Sequence, residues 1–102
     1  MKVLTAIVVG LSVCSFSAGA ETVLVKYAGP VNLDDFACES VTRSNFINRV
    51  CYQPERAYMV ILLGNTYYHY CRIPPVEVAG LKSASSMGRY YNAYIKGRYD
   101  CR

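Results

Sequence analysis

Tryptophan is absent from this sequence and histidine occurs once, at His69. A single imidazole excludes multi-histidine metal centres, and any base-assisted nucleophile would have to use it. No two cysteines stand at the roughly two-to-four-residue spacing of zinc ligands, so no metal is expected, and no motif asks for another cofactor. Acidic residues are scarce, 7 against 11 Lys and Arg. There is no internal repeat and no low-complexity tract. Nor is there an unbroken apolar run of the roughly 20 residues that a membrane-spanning helix needs.

What is present begins with a leader. Lys2 gives a positive start, Val3 to Phe16 is mostly apolar, and Ala18-Gly19-Ala20 is a small-residue cleavage pattern ahead of Glu21. Residues 1–20 are therefore expected to be a secretory signal peptide and the protein periplasmic or secreted. Gly10, Ser12, Ser15 and Ser17 dilute the run and weigh against a retained anchor. A lipoprotein site at Cys14 is disfavoured by the bulky Val13 before it. With the leader removed, 82 residues remain, with ten basic and seven acidic side chains, a net charge of +3, and four cysteines.

Cys38, Cys51, Cys71 and Cys101 form an even set in a small exported domain, which predicts two disulfides. Four cysteines allow three pairings, and the sequence leaves these open. Cys101 is expected to tie the C-terminus to the body.

Taken in order, Thr22 to Tyr27 has strand composition, broken by Gly29-Pro30, and Asn32 to Phe36 is expected to open one helical turn. The adjacent Asp34 and Asp35 suit that turn better than paired catalysis. Cys38 to Asn48 is polar and reads as a covering loop leading into a strand, Ile47 to Tyr52. Ala57 to Leu63 is apolar on both faces, so its strand should be central. Gly64-Asn65 turns it into Thr66-Tyr67-Tyr68-His69-Tyr70. A two-residue loop sets Tyr68 and Tyr70 on the face of Met59 and Ile61; a three-residue loop sets them with Tyr58, Val60 and Leu62.

Pro74-Pro75 ends that strand and starts a short helix over Val76 to Ala84. Ser85 or Ser86 caps a second helix, Met87 to Lys96, which Gly97 terminates. On it Met87, Tyr90, Tyr91, Tyr94 and Ile95 form the inward face, with Arg89, Asn92 and Lys96 outside. The fold class is α+β: a small antiparallel β-meander of three or more strands, followed by two short helices packed on one face and stabilised by disulfides.

Ser44-Asn45-Phe46-Ile47 with Val50 and Tyr52, Tyr68-His69-Tyr70, Ile73-Pro74, Ala84-Ser85-x-x-Gly88-x-Tyr90-Tyr91-Asn92 and Ile95-Lys96 together resemble the KTSC domain. That domain occurs at the C-terminus of some lysyl-tRNA synthetases and alone in small bacterial proteins, and its hallmark is a central Tyr-x-Tyr. The resemblance spans about residues 44–99. It divides the chain into a leader (1–20), an N-terminal extension (21–43) and a KTSC-like domain (44–102). The family has no established activity; RNA binding is suggested by its place on a synthetase. The leader and the four cysteines set this sequence apart from the typical member and weigh against RNA.

Ten tyrosines favour a non-enzymatic binding module for a protein, peptide or glycan of the cell envelope. Its candidate ligand-binding residues are Tyr68, His69, Tyr70, Arg89 and Lys96. Nucleic acid is the alternative, with Lys82, Arg89, Lys96, Arg98 and Arg102 on phosphates and tyrosines on bases. An inhibitor or immunity-type protein also fits a small, cross-linked, basic domain. Catalysis would need His69 beside Ser85, Ser86 or an unpaired cysteine, and the spacing gives it no support.

Overall fold

The computed structural model describes residues 21–101. The leader with Lys2 and Cys14, and Arg102, lie outside the described residues.

Six strands make one sheet: β1 (Thr22–Val25), β2 (Gly29–Asn32), β3 (Ala37–Ser40), β4 (Ile47–Gln53), β5 (Tyr58–Leu63) and β6 (Thr66–Tyr70). They lie in the order β2-β1-β6-β5-β4-β3. All neighbours are antiparallel except β1 and β6, which meet in parallel where Val25 faces Tyr67. As its composition requires, β5 is interior, with Met59, Val60 and Ile61 all fully buried. Burying each such side chain contributes roughly 1.5–3 kcal/mol.

The β5–β6 register places Leu63 opposite Thr66, Ile61 opposite Tyr68 and Met59 opposite Tyr70. The loop therefore has two residues, and Tyr68 and Tyr70 share the face of Met59 and Ile61. Gly64 takes a φ of +60° while Asn65 keeps a negative one, the pattern of a type II′ turn that a glycine satisfies without strain.

Two helices cover that face. Helix α1 (Pro75–Ser83) starts at the second proline, and α2 (Met87–Tyr90) runs directly into a π turn (Tyr91–Ile95). Ser86 caps α2, its Oγ accepting from the Arg89 amide. Ile73, Val78, Leu81, Met87, Tyr91 and Ile95 pack on Ile47, Val50, Tyr52, Met59, Ile61 and Tyr70 as one core. Gly97, at φ +78°, ends the helical segment.

The other face is closed by the N-terminal segment. Laid flat at about 4.8 Å per strand, the sheet would part β2 from β3 by about 24 Å, more than residues 33–36 can span at about 3.4 Å each. The sheet must curl, and the segment from β1 to β3 straps its second face. Leu33 is buried there with Val25, Cys51 and Val60, and Phe36 meets Tyr58 edge-on at 5.7 Å.

Four expectations need correction. Asn32 to Phe36 is not a helical turn: Asn32 closes β2, its Oδ1 accepts the Asp34 amide, and Leu33 is drawn into the strap core. Cys38 to Ser40 is not loop but edge strand, held by β4 with Cys38 directly opposite Cys51. Tyr94 does not face the sheet: the widened π turn leaves it 52% exposed, its ring tilted against that of Tyr90 with centroids 4.7 Å apart. Tyr27 is not in β1 but in the turn after it, at φ +71°.

The disulfides pair Cys38 with Cys51 and Cys71 with Cys101. The first fixes the strap to the sheet; the second fixes the C-terminal tail to the end of β6. Two bridges in so small a domain fit an oxidising, extracytoplasmic environment. Among the described residues no helix is long and apolar enough to cross a membrane.

Candidate functional site

The outer edge of β6 is only partly covered. Pairing with β1 ends where the Lys26 amide donates to the Tyr67 carbonyl at 2.8 Å, because the chain then turns away at Tyr27. Cover resumes at Cys71, whose amide donates to the Tyr99 carbonyl at 2.7 Å. Between these points, strand alternation aims the backbone N–H and C=O of His69 outward, because Tyr68 and Tyr70 occupy the hydrogen-bonded positions facing β5.

A cleft of ≈ 400 Å³ lies over this gap, lined by Lys26, Tyr27, Tyr68, His69, Tyr70, Asp100 and Cys101. Its rim is aromatic and charged. Tyr27 is 88% exposed, in a backbone conformation that bulky residues rarely adopt. Lys26 Nζ lies 5.5 Å from the Tyr27 ring and 5.8 Å from the Tyr68 ring, within cation–π range of both. Asp100 is presented by the tail, where its carbonyl accepts from Arg72 at 3.1 Å.

Tyr68 also lines a second cleft of ≈ 450 Å³, with Phe46, Tyr91, Asn92, Lys96 and Asp100. Phe46 and Asn92 are shared in turn with a third, ≈ 310 Å³, bounded by Arg43, Ser44, Asn45, Ser85 and Arg89. Arg43 braces this corner by donating to the carbonyls of Lys82 and Ala84 at 2.6 and 2.8 Å. Segments distant in sequence, Ser44-Asn45-Phe46, Tyr68-His69-Tyr70 and Ser85 to Lys96, thus converge on one run of clefts.

The five sequence-derived ligand residues separate in space. Tyr68 is half-buried and central. Lys96 joins it in the second cleft, while Arg89 stands at the third. Tyr70 is only 7% exposed, and its hydroxyl shares a buried hydrogen bond with that of Tyr91. The His69 ring points to the strap face, where Nδ1 meets the Tyr58 hydroxyl at 2.8 Å. Lys26, Tyr27 and Asp100 were missed. The Gly29-Pro30 break was the nearest sequence mark for Tyr27, and nothing local marks Asp100.

Burial depresses the His69 pKa below the ordinary 6.5. In the neutral ring with its proton on Nε2, Nδ1 accepts a hydrogen bond from the Tyr58 hydroxyl, and protonation removes that acceptor. Stability from this group is therefore present above about pH 6.5 and lost as pH falls through the lower folded-state value. The urea midpoint is expected to fall between about pH 7.5 and pH 5.5, and His69→Gln to flatten the fall; an equal slope in the variant would refute this.

The KTSC domain family matches residues 43–99. Comparison with curated proteins gave no match. Among solved structures, a KTSC domain protein from Yersinia pestis superposes with a TM-score of 0.60 at 28% identity, covering 66% of this chain and 94% of that one. Strands β4 to β6, the two helices and the Tyr-x-Tyr of β6 lie within the matched residues 43–99, whereas β1 to β3 precede them, and the chain belongs to the KTSC domain family.

Proposed function

We propose that this protein is a small, exported, non-enzymatic binding module that takes an extended peptide of a cell-envelope partner along the open edge of β6. The carrying observation is the gap between Tyr67 and Cys71. A strand added there would exchange hydrogen bonds with the His69 backbone, while Tyr27, Lys26 and Tyr68 meet alternate side chains. Lys26 and Asp100, both lining the cleft, supply charges of both signs, which suits a peptide. The engagement of His69 with Tyr58 on the opposite face supports a non-catalytic role. The two disulfides support export, with residues 1–20 as the leader.

The test is selection from a random-peptide library on the oxidised protein, followed by calorimetry. Tyr68→Ala is expected to weaken binding about 10-fold, near 1.4 kcal/mol. His69→Pro deletes the outward amide at an edge position that tolerates proline, and is expected to abolish binding while the fold persists. Undiminished affinity in both folded variants would defeat the reading. Single-stranded nucleic acid is the second reading, favoured by Arg43, Arg89 and Lys96 around the other two clefts. Absence of a salt-dependent affinity for oligonucleotides removes it.

A further inference from the structure

Glu21 is engaged through every polar group it has. Its backbone nitrogen donates to Asp34 Oδ1 at 2.9 Å. Its carbonyl accepts the Leu33 amide at 2.8 Å. Both carboxylate oxygens accept from Arg49, at 2.6 and 2.8 Å. The receiving groups are themselves held: Asn32 Oδ1 accepts the Asp34 amide at 2.7 Å, and Arg49 also donates to the Tyr67 hydroxyl at 3.1 Å. An exposed residue just ahead of a strand does not ordinarily draw two side chains and a loop amide onto itself. This one directly follows Ala18-Gly19-Ala20.

We propose that Asp34 is the seat of a free α-ammonium at Glu21, produced by hydrolysis of the Ala20–Glu21 bond, and that this ion pair closes the strap in the mature protein. Water supplies the chemistry, with an endopeptidase that accepts small residues as catalyst. Hydroxyl adds to the Ala20 carbonyl carbon, the C–N bond breaks, and Ala20 departs as a carboxylate. The Glu21 nitrogen takes up protons to become an ammonium. One neutral N–H donor becomes three charged ones against the same carboxylate, and charge-assisted bonds are roughly twice as strong as neutral ones.

The arrangement also fixes where the cut falls. Cleavage one residue to either side moves the charge by about 3.4 Å along an extended chain, away from Asp34. The charged groups facing the new terminus are Asp34 and the Glu21 carboxylate, which attract it, and Arg49, which repels it. Two attractive charges against one repulsive one favour the ammonium.

The inference rests on export but not on any ligand, and its test leaves the binding site untouched. The full 102-residue precursor is expressed in an exporting bacterial host, and the processed protein is weighed intact. A start at Glu21 is expected. A variant with Gly-Ser inserted between Ala20 and Glu21, processed to begin two residues earlier, keeps the amide donor and moves the charge. Its Tm is expected to fall by about 2–5 °C, as is that of Asp34→Asn, with little further loss when the two are combined. A native start elsewhere, an unchanged Tm in the extended form, or effects that simply add would each overturn the proposal.

Discussion

Replacing Cys71 and Cys101 together by alanine is expected to lower the unfolding free energy by about 3.6 kcal/mol, read from urea denaturation. The value follows from releasing a loop closed across a sequence separation of 30, in the chain-entropy account of cross-links. Without the bridge the tail keeps polar ties from Cys71 to the Tyr99 carbonyl, from Arg72 to the Asp100 carbonyl, from the Arg98 amide to the Ile95 carbonyl, and from the Tyr99 hydroxyl to Glu77 at 3.4 Å. Asp100 and Cys101 form one wall of the cleft over β6, so peptide affinity should fall in the variant even where most molecules are folded. A change below about 1 kcal/mol would show that the tail is held by these polar ties rather than by sulfur.

Removing one hydroxyl from the buried Tyr70–Tyr91 pair is the second large effect. Tyr70→Phe and Tyr91→Phe should each cost about 2 kcal/mol, because either leaves the surviving hydroxyl without its partner between β6 and the helices. The double variant should cost much less than the sum of the two, since then neither polar group is stranded. Simple additivity in that cycle would disprove the shared bond. Burial, and then the bond to Tyr91, holds the Tyr70 hydroxyl well above the usual tyrosine range. The unfolded chain therefore loses its proton first as pH rises, so stability from Tyr70 is intact below about pH 10 and declines above it.

Particular residues explain how far the sequence could be read. The uniformly apolar Met59 to Leu63 had to lie inside a sheet, Gly64-Asn65 could only be a tight turn, and Pro75 suited a helix start. Each of those signals is local. Strand β3 gave none, because all four of its residues are exposed and its conformation comes from β4 through the Cys38–Cys51 juxtaposition. The π turn that swings Tyr94 outward likewise breaks the 3.6-residue period on which the face assignment rested. The same division holds at the site: Tyr68 was evident from its motif, whereas Lys26, Tyr27 and Asp100 reach the cleft from opposite ends of the chain, through the curl of the sheet and the tail bridge.

The parallel meeting of Val25 with Tyr67 also orders assembly in time. Synthesis delivers β1 long before β6, so β1 can close its hairpin with β2 at once but must wait for β6, while β4–β5 and β5–β6 also close over short distances. Joining elements so far apart in sequence is the slow kind of contact to form. Until the sheet behind them is built, Val23 and Val25 lack the neighbours Cys51 and Val60 that cover them in the folded domain, and exposed apolar strands of this kind favour association.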